Sequence, residues 1–459
     1  MNARLVSHIK TLVPPKNLLP VLFSYTLDSI AKSLYWTFFA IWLSETLTDS
    51  FFILSVVLAI PPMISLLGIT VFSSYSDRSG RRKEVMFLSR IVLMVQFILL
   101  IFFDQSIWIV LLILGSTGIF TQIYYVMNNT LATTICPVDR RGEVSSFQLF
   151  FSSFGWMIGS GLSGVVYENF GITGCLIIAA GGALLSGIVA LFSANTSPSP
   201  ESPPSIDRTN KEPTEPLTTD EQELSSEKFT GVDGSVRKSL PVHKITSTKT
   251  VTEPSSFWKI LTRKRVLILL LAMGIMEFGL GPFSIMGTVY LKQIGGLSNY
   301  LISLANTLAT LIGLILLLFI GRLIDKRGRK PFILASFLSY SIYFFLFYFL
   351  SPFSIAIFIL WLVPLYALRT PAVNAMMSDL TSEKERARGM ALIQYEQVFT
   401  TNIGAIIGGL LVDRIALGLK IIPLSVGGFA FIAFIIALFF IQETFSKKAI
   451  IQGAANKDH

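Results

Sequence analysis

Twelve apolar stretches, each long enough to cross a lipid bilayer as a helix, constrain this chain more than any other feature. They fall at about 18–43, 51–73, 84–104, 107–132, 143–166 and 171–193, then at 266–291, 299–321, 331–350, 353–377, 389–412 and 421–442. At 1.5 Å per residue, roughly 20 helical residues cover a hydrocarbon core of about 30 Å. Charged residues make up 14% of the chain and hydrophobic ones 52%, against roughly 25% charged in ordinary soluble domains. A soluble surface so poor in charge would aggregate. The expected fold is therefore all-α and integral to a lipid bilayer.

The net charge of +9 would suit a nucleic-acid binder if the basic residues shared one surface, but they sort by side of the membrane. With both termini on one side, only Lys292, Arg414 and Lys420 of the 37 Lys and Arg lie opposite, and only Lys32, Arg90 and Arg369 lie within spans. Basic residues in short loops stay cytoplasmic. Both termini are thus expected in the cytoplasm of a multi-pass cell-membrane protein, and no nucleic-acid partner is expected. The first apolar segment is too long for a signal peptide and lacks a small-residue cleavage site. His8, His243 and His459 all lie outside the spans, so neither a metal site nor a histidine proton relay is expected there. Cys136 and Cys175 fall near opposite faces and are not expected to pair. Residues 195–256 hold eight of the 20 prolines and one aromatic, Phe229, a composition that cannot bury enough apolar surface to order itself. The expected organisation is a first bundle at 1–194, a disordered linker at 195–256, a second bundle at 257–445 and a tail at 446–459.

The two halves repeat one another. Asp77-Arg78-Ser79-Gly80-Arg81-Arg82, between the second and third spans, returns 248 residues on as Asp325-Lys326-Arg327-Gly328-Arg329-Lys330, between the eighth and ninth. Gln148, Ser152, Gly155 and Gly159 return as Gln397, Thr401, Gly404 and Gly408 at an offset of 249. Glycines four residues apart let helices approach closely, so these mark packing faces. The charged loops resemble the signature loop of the major facilitator superfamily of transporters; Gly321 opens the second copy as that pattern expects, and Ser73 stands at the same place in the first. The resemblance implies two pseudo-symmetric six-helix bundles, with helices 1, 4, 7 and 10 lining a central cavity. It also implies a gate, in which Asp77 meets the start of the eleventh span near Arg388 and Gly389, and Asp325 the start of the fifth. A carboxylate is favoured at a helix N-terminus. Arg81, Arg82, Arg329 and Lys330 are expected to add contacts between the halves, with Arg78, Gly80, Lys326 and Gly328 completing the loops. The cluster Gly155, Gly159, Gly161 and Gly164 is similar to the glycine motif of drug–proton antiporters in the family, without its proline.

Polar residues inside the spans point to function, because a charge at the bilayer centre is costly unless it faces a cavity or a partner. Asp28 lies about 15 Å into the first span, and Glu277, 249 residues later, is equally deep in the seventh. Tyr25, Asp28, Lys32, Tyr35 and Trp36 share one helical face; so do Glu277, Gly281, Ser284 and Thr288, and so do Gln122, Tyr125, Asn129 and Thr133. These stripes mark candidate substrate-cavity residues, with Arg369 added from the tenth span. Lys32, four residues after Asp28, is placed to pair with it. Glu277 has no basic neighbour on its own span, which makes it the preferred proton carrier, with Asp28 second. Arg369 and Glu396 lie at similar depth on adjacent spans and are expected to pair. Arg90 is expected to snorkel to the cytoplasmic surface.

The expected function is secondary active transport of a small solute by a monomer, coupled to protons and leaning towards drug or metabolite efflux. Uptake of a sugar or organic acid, or a non-transporting sensor on the same fold, are the alternatives. No phosphate-binding loop is present and no cofactor is expected. Clustered Asp motifs that would hold Mg²⁺ and diphosphate are also missing, which argues against a prenyltransferase-like membrane enzyme.

Overall fold

The computed structural model describes residues 14–79, 81–103, 106–135, 141–193, 257–382 and 385–444, with the backbone alone at 67–79, 141–143, 145, 318, 322, 325 and 387. The linker at 195–256, the tail at 446–459 and Gly80 lie outside the described residues, as do the side chains of Asp77, Arg78 and Asp325. Every regular element among the described residues is a helix. In the first half these are α1 (Leu19–Thr46), α2 (Phe51–Ser79), α3 (Arg82–Phe102), α4 (Ile107–Ile135) and α5 (Arg141–Leu191). The second half holds the short α6 (Phe257–Leu261), then α7 (Lys264–Gln293), α8 (Asn299–Arg327), α9 (Lys330–Phe349), α10 (Ser354–Trp361), α11 (Tyr366–Leu380), α12 (Arg386–Arg414) and α13 (Ile421–Phe440).

Eight of the helical segments are long and apolar enough to cross a membrane. Among the described residues the first, second and eleventh spans fall outside these eight: α1 and α12 carry the polar residues that face other helices, and of α2 the stretch Phe51–Leu66 counts as a shorter apolar helix. Two boundaries differ from the hydropathy reading. The fifth and sixth spans, grouped here as α5, are two helices that meet at a kink at Gly171 with no intervening loop, where φ is 62° and ψ −162°, a conformation open in practice only to glycine. The tenth span is divided between α10 and α11 around Pro364. Proline lacks an N–H and pushes the residue before it out of helical geometry.

The repeat seen in the sequence is repeated in the packing. Gly155 and Gly159 of α5 bring that helix against the carbonyls of Thr26 and Ile30 on α1, and on α12 Gly404 packs against the carbonyl of Phe278 and Gly408 against the ring of Pro282, both on α7. A Cβ at any of the four would collide with those atoms. Across the halves, α2 packs on α12 and α5 on α8. There Ser303 of α8 donates to the carbonyl of Ser160 at 2.5 Å, and Gly164 leaves the room it needs. The main apolar core runs through both halves, including Phe38, Met286, Phe337 and Phe347. A second cluster around Leu22, Met86, Tyr124 and Leu131 belongs to the first half.

Candidate functional site

Six charged side chains among the described residues, Asp28, Lys32, Arg90, Glu277, Arg369 and Glu396, lie deep within the expected spans, and two pairs consume four of them. In the first half Arg90 of α3, fully buried, places Nη1 on Oδ1 of Asp28, which is 2% exposed. Its Nη2 donates to the carbonyl of Phe120 at 3.3 Å, and its guanidinium lies 4.0 Å from the centroid of the Tyr124 ring. Arg90 therefore does not snorkel. The side of α3 that carries it faces the bundle, and Gly187 of α5 leaves space beside its Cβ. The expected Asp28–Lys32 pair does not form either, because Arg90 takes the carboxylate.

In the second half Arg369 of α11 sits with Nη1 2.5 Å from Oε1 of Glu277. The contact is an ion pair without hydrogen-bond geometry. Glu277 Oε2 accepts from Thr401 Oγ1 at 3.1 Å, and the Arg369 guanidinium lies 5.5 Å from the Tyr340 ring. The expected Arg369–Glu396 pair is thus replaced by Arg369–Glu277. The absence of a basic residue on the seventh span said nothing about one arriving from the tenth. Both pairs are almost wholly buried.

Lys32 and Glu396 are what remain, one in each half. Lys32, half-buried, donates to Tyr125 Oη at a long 3.4 Å, with Nζ 5.0 Å from that ring's centroid. Glu396 Oε1 accepts from Thr400 Oγ1 at 2.8 Å, while Oε2 is buried with no hydrogen-bond partner among the described residues. Neither belongs to an ion pair there. Formal charges therefore leave Asp28, Arg90 and Lys32 with a surplus of one positive charge and Glu277, Arg369 and Glu396 with a surplus of one negative.

Between the halves lies a cavity of 270 Å³ lined by Trp36, Leu58, Trp156, Phe283, Ser284 and Trp361, among others. Trp36 and Ser284 are therefore cavity residues, as their stripes suggest. Lys32 shares a smaller cavity with Asp28, Tyr35 and Arg90. Glu277 and Arg369 line neither of these. Tyr25 packs edge-on against Tyr125 at 5.4 Å. Gln122 is half-buried and Asn129 exposed. The inward polar face of α4 runs one residue earlier. Tyr124 bonds to Ser24 at 2.7 Å and to Ser186 at 3.2 Å, and Asn128 accepts from Gln148 Nε2 at 2.9 Å. Tyr124 and Asn128 have helical spacing too, but two stripes offset by a single residue look alike in sequence.

The halves are fastened at the end where α1 and α7 finish. Glu45 pairs with Lys292 at 2.7 Å, and Glu168 accepts from Asn299 at 2.7 Å. Asp413, at the end of α12, accepts from Ser50 Oγ at 2.6 Å and from the N–H groups of Phe51 and Phe52 at 2.8 and 3.0 Å, capping α2 from the other half. Of the expected gate, Gly321 is half-buried and Lys326 and Arg81 are exposed. Arg82 donates to Thr134 at 2.9 Å. Arg329 pairs with Asp379 at 3.1 Å, Glu443 accepts from the N–H groups of Arg329 and Lys330, and Gly328 takes the turn at φ 100°. Those contacts of Arg329 and Lys330 hold the second half together rather than joining it to the first.

Comparison with known proteins agrees with this architecture. The fold is similar to that of the nucleoside transporter NupG in a mutant form, at TM-score 0.71 and 12% identity over 93% of this chain and all of that one. It is also similar to a bacterial homologue of the human lysosomal transporter Spinster, solved inward-facing and unoccupied, at TM-score 0.66 and 13% identity over 94% of this chain and 98% of that one. In sequence, 202 residues are 30% identical to the class H tetracycline resistance protein of Pasteurella multocida. That match covers 41% of this chain and about half of the relative, 47%. The sequence pattern of the Major Facilitator Superfamily matches residues 21–368 and 283–456. With two repeated helical bundles joined around a central cavity, the chain belongs to the Major Facilitator Superfamily of transporters.

Proposed function

We propose that this protein is a proton-coupled exporter of a small solute, working by alternating access in the cell membrane with both termini in the cytoplasm. One observation carries the coupling: Glu396 is the only one of the three intramembrane carboxylates that forms no ion pair among the described residues, and its Oε2 is buried without a hydrogen bond. A carboxylate locked to arginine has little reason to take a proton, whereas a buried one outside any ion pair is relieved by taking one. The role first given to Glu277 therefore passes to Glu396. Export is favoured over uptake because the similar stretch belongs to a protein described as conferring tetracycline resistance, and a transporter that protects a cell does so by removing the compound. On this topology the fastened end is the outer one.

The test is Glu396→Gln in proteoliposomes, with a solute identified by screening under an imposed pH gradient. Gradient-driven accumulation is expected to vanish while solute exchange without a gradient persists. Full dependence on the gradient in the variant would remove Glu396 from the coupling role.

A further inference from the structure

The surplus positive charge of the first half is not ion-paired among the described residues. Among those residues Arg90 takes Asp28 Oδ1 and leaves Oδ2 without a hydrogen bond, while the Lys32 ammonium makes a long hydrogen bond to Tyr125, lies over the face of its ring and joins no ion pair. A cation held within a membrane bundle without a carboxylate is costly, and an anion brought in from outside would offset that cost. Lys32 also lies one helical turn before Trp36 on the same face of α1. Trp36 enters the 270 Å³ cavity between the halves, where Trp156, Phe283 and Trp361 supply further aromatic faces. The side chains that meet there offer flat apolar surface to a planar body, and Lys32 stands one turn away along α1, in the smaller cavity it shares with Asp28, Tyr35 and Arg90. An amine would be repelled there, because Arg90 and Lys32 outnumber Asp28.

We propose that Lys32 recognises an acidic group on the transported solute, whose planar aromatic body occupies the cavity beside Trp36, so that the substrate class is aromatic organic anions. This deepens the transporter reading and rests on it, but it does not depend on Glu396. The experiment is equilibrium dialysis at fixed pH of naphthoate, naphthamide and naphthylmethylammonium against the purified protein in lipid nanodiscs. Naphthoate is expected to bind, naphthamide to bind roughly tenfold more weakly or worse, and naphthylmethylammonium to bind weakest, since a charged hydrogen bond commonly carries that much discrimination. Lys32→Gln should weaken naphthoate roughly tenfold while leaving naphthamide unchanged, and Lys32→Arg should keep naphthoate. Binding of the neutral or cationic probe as tightly as the anion would overturn the proposal, as would no binding of naphthoate or unchanged naphthoate affinity in Lys32→Gln. Loss of naphthamide together with naphthoate in that variant would also count against it, because recognition of the charge spares the neutral probe. Dialysis imposes no gradient, so a failure of coupling at Glu396 leaves this result standing, and the reverse.

Discussion

At the scale of single residues, the two buried arginine–carboxylate pairs are expected to behave as structural ties. Desolvating four charges gains little net stability, but removing one partner leaves the other buried and uncompensated, at a cost of about 3–5 kcal/mol. Asp28→Asn, which strands Arg90, is therefore expected to lower thermal stability in detergent by an amount of that order, and Glu277→Gln to do the same by stranding Arg369. The double exchange Asp28→Arg with Arg90→Asp should recover part of the loss. A Glu277→Gln protein as stable as the wild type, but deaf to the pH gradient, would return the coupling role to Glu277. The depth of Asp28 and Glu277 in the membrane was legible from their place in the spans. Their partners were not, because i to i+4 spacing proposes candidates on one helix only and is silent about neighbouring helices.

At the scale of elements, Asp413 and Gly171 each carry a local demand. The first N–H groups of α2 have no partner within their own helix, and Asp413 supplies one from α12, where its charge also meets the positive end of the helix dipole. Asp413→Ala is expected to weaken the fastened state by about 0.5–2 kcal/mol, the usual worth of such a cap. The change would be read as increased labelling of a cysteine introduced beside Ser50. Burial pushes the Asp413 carboxyl up, but the hydrogen bonds from Ser50, Phe52 and Phe51 outweigh it and hold the group below its ordinary value of 3.8. Because its value in the capped state is depressed, this contribution is complete above pH 3.8 and is lost as pH falls through the lower value. Labelling relative to an exposed reference thiol at the same pH, which removes the pH dependence of the thiolate itself, should therefore stay flat between about pH 5 and 8 and rise only in stronger acid. At Gly171 nothing lies near where a Cβ would sit, so the cost of Gly171→Ala is purely conformational, about 1–3 kcal/mol. Unfolding measurements on that variant should show the loss without any change in neighbouring packing.

At the scale of the whole molecule, the proposed alternating access would have the contacts Glu45–Lys292, Glu168–Asn299 and Asp413–α2 open and re-form together. A pair of cysteines at 45 and 292, in a protein whose own Cys136 and Cys175 have been replaced, is expected to be joined by a reducible bifunctional thiol reagent long enough to replace the Glu–Lys pair and to stop transport, with recovery on reduction. Continued transport by the cross-linked protein would show that this end does not need to open. The loops that suggested a gate lie at the opposite end. The contacts described for Arg329 and Lys330 stay within their own half, so the fastening described here rests on residues outside any repeated motif.

The sequence by itself determined the twelve spans, the doubling of the bundle and the glycine faces at which helices pack closely. Each of these is written in short-range hydropathy or in similarity between two stretches, and neither depends on how the helices are rotated. Tertiary structure decided which charge meets which. Arg90 reaches Asp28 from 62 residues away along the chain, and Arg369 reaches Glu277 from a different span. A rotation of one helix by a single residue, about 100°, would exchange the partners without altering any hydropathy pattern. That choice leaves Lys32 and Glu396 outside the ion pairs, and so separates the charges that hold the protein together from those available to a solute and a proton.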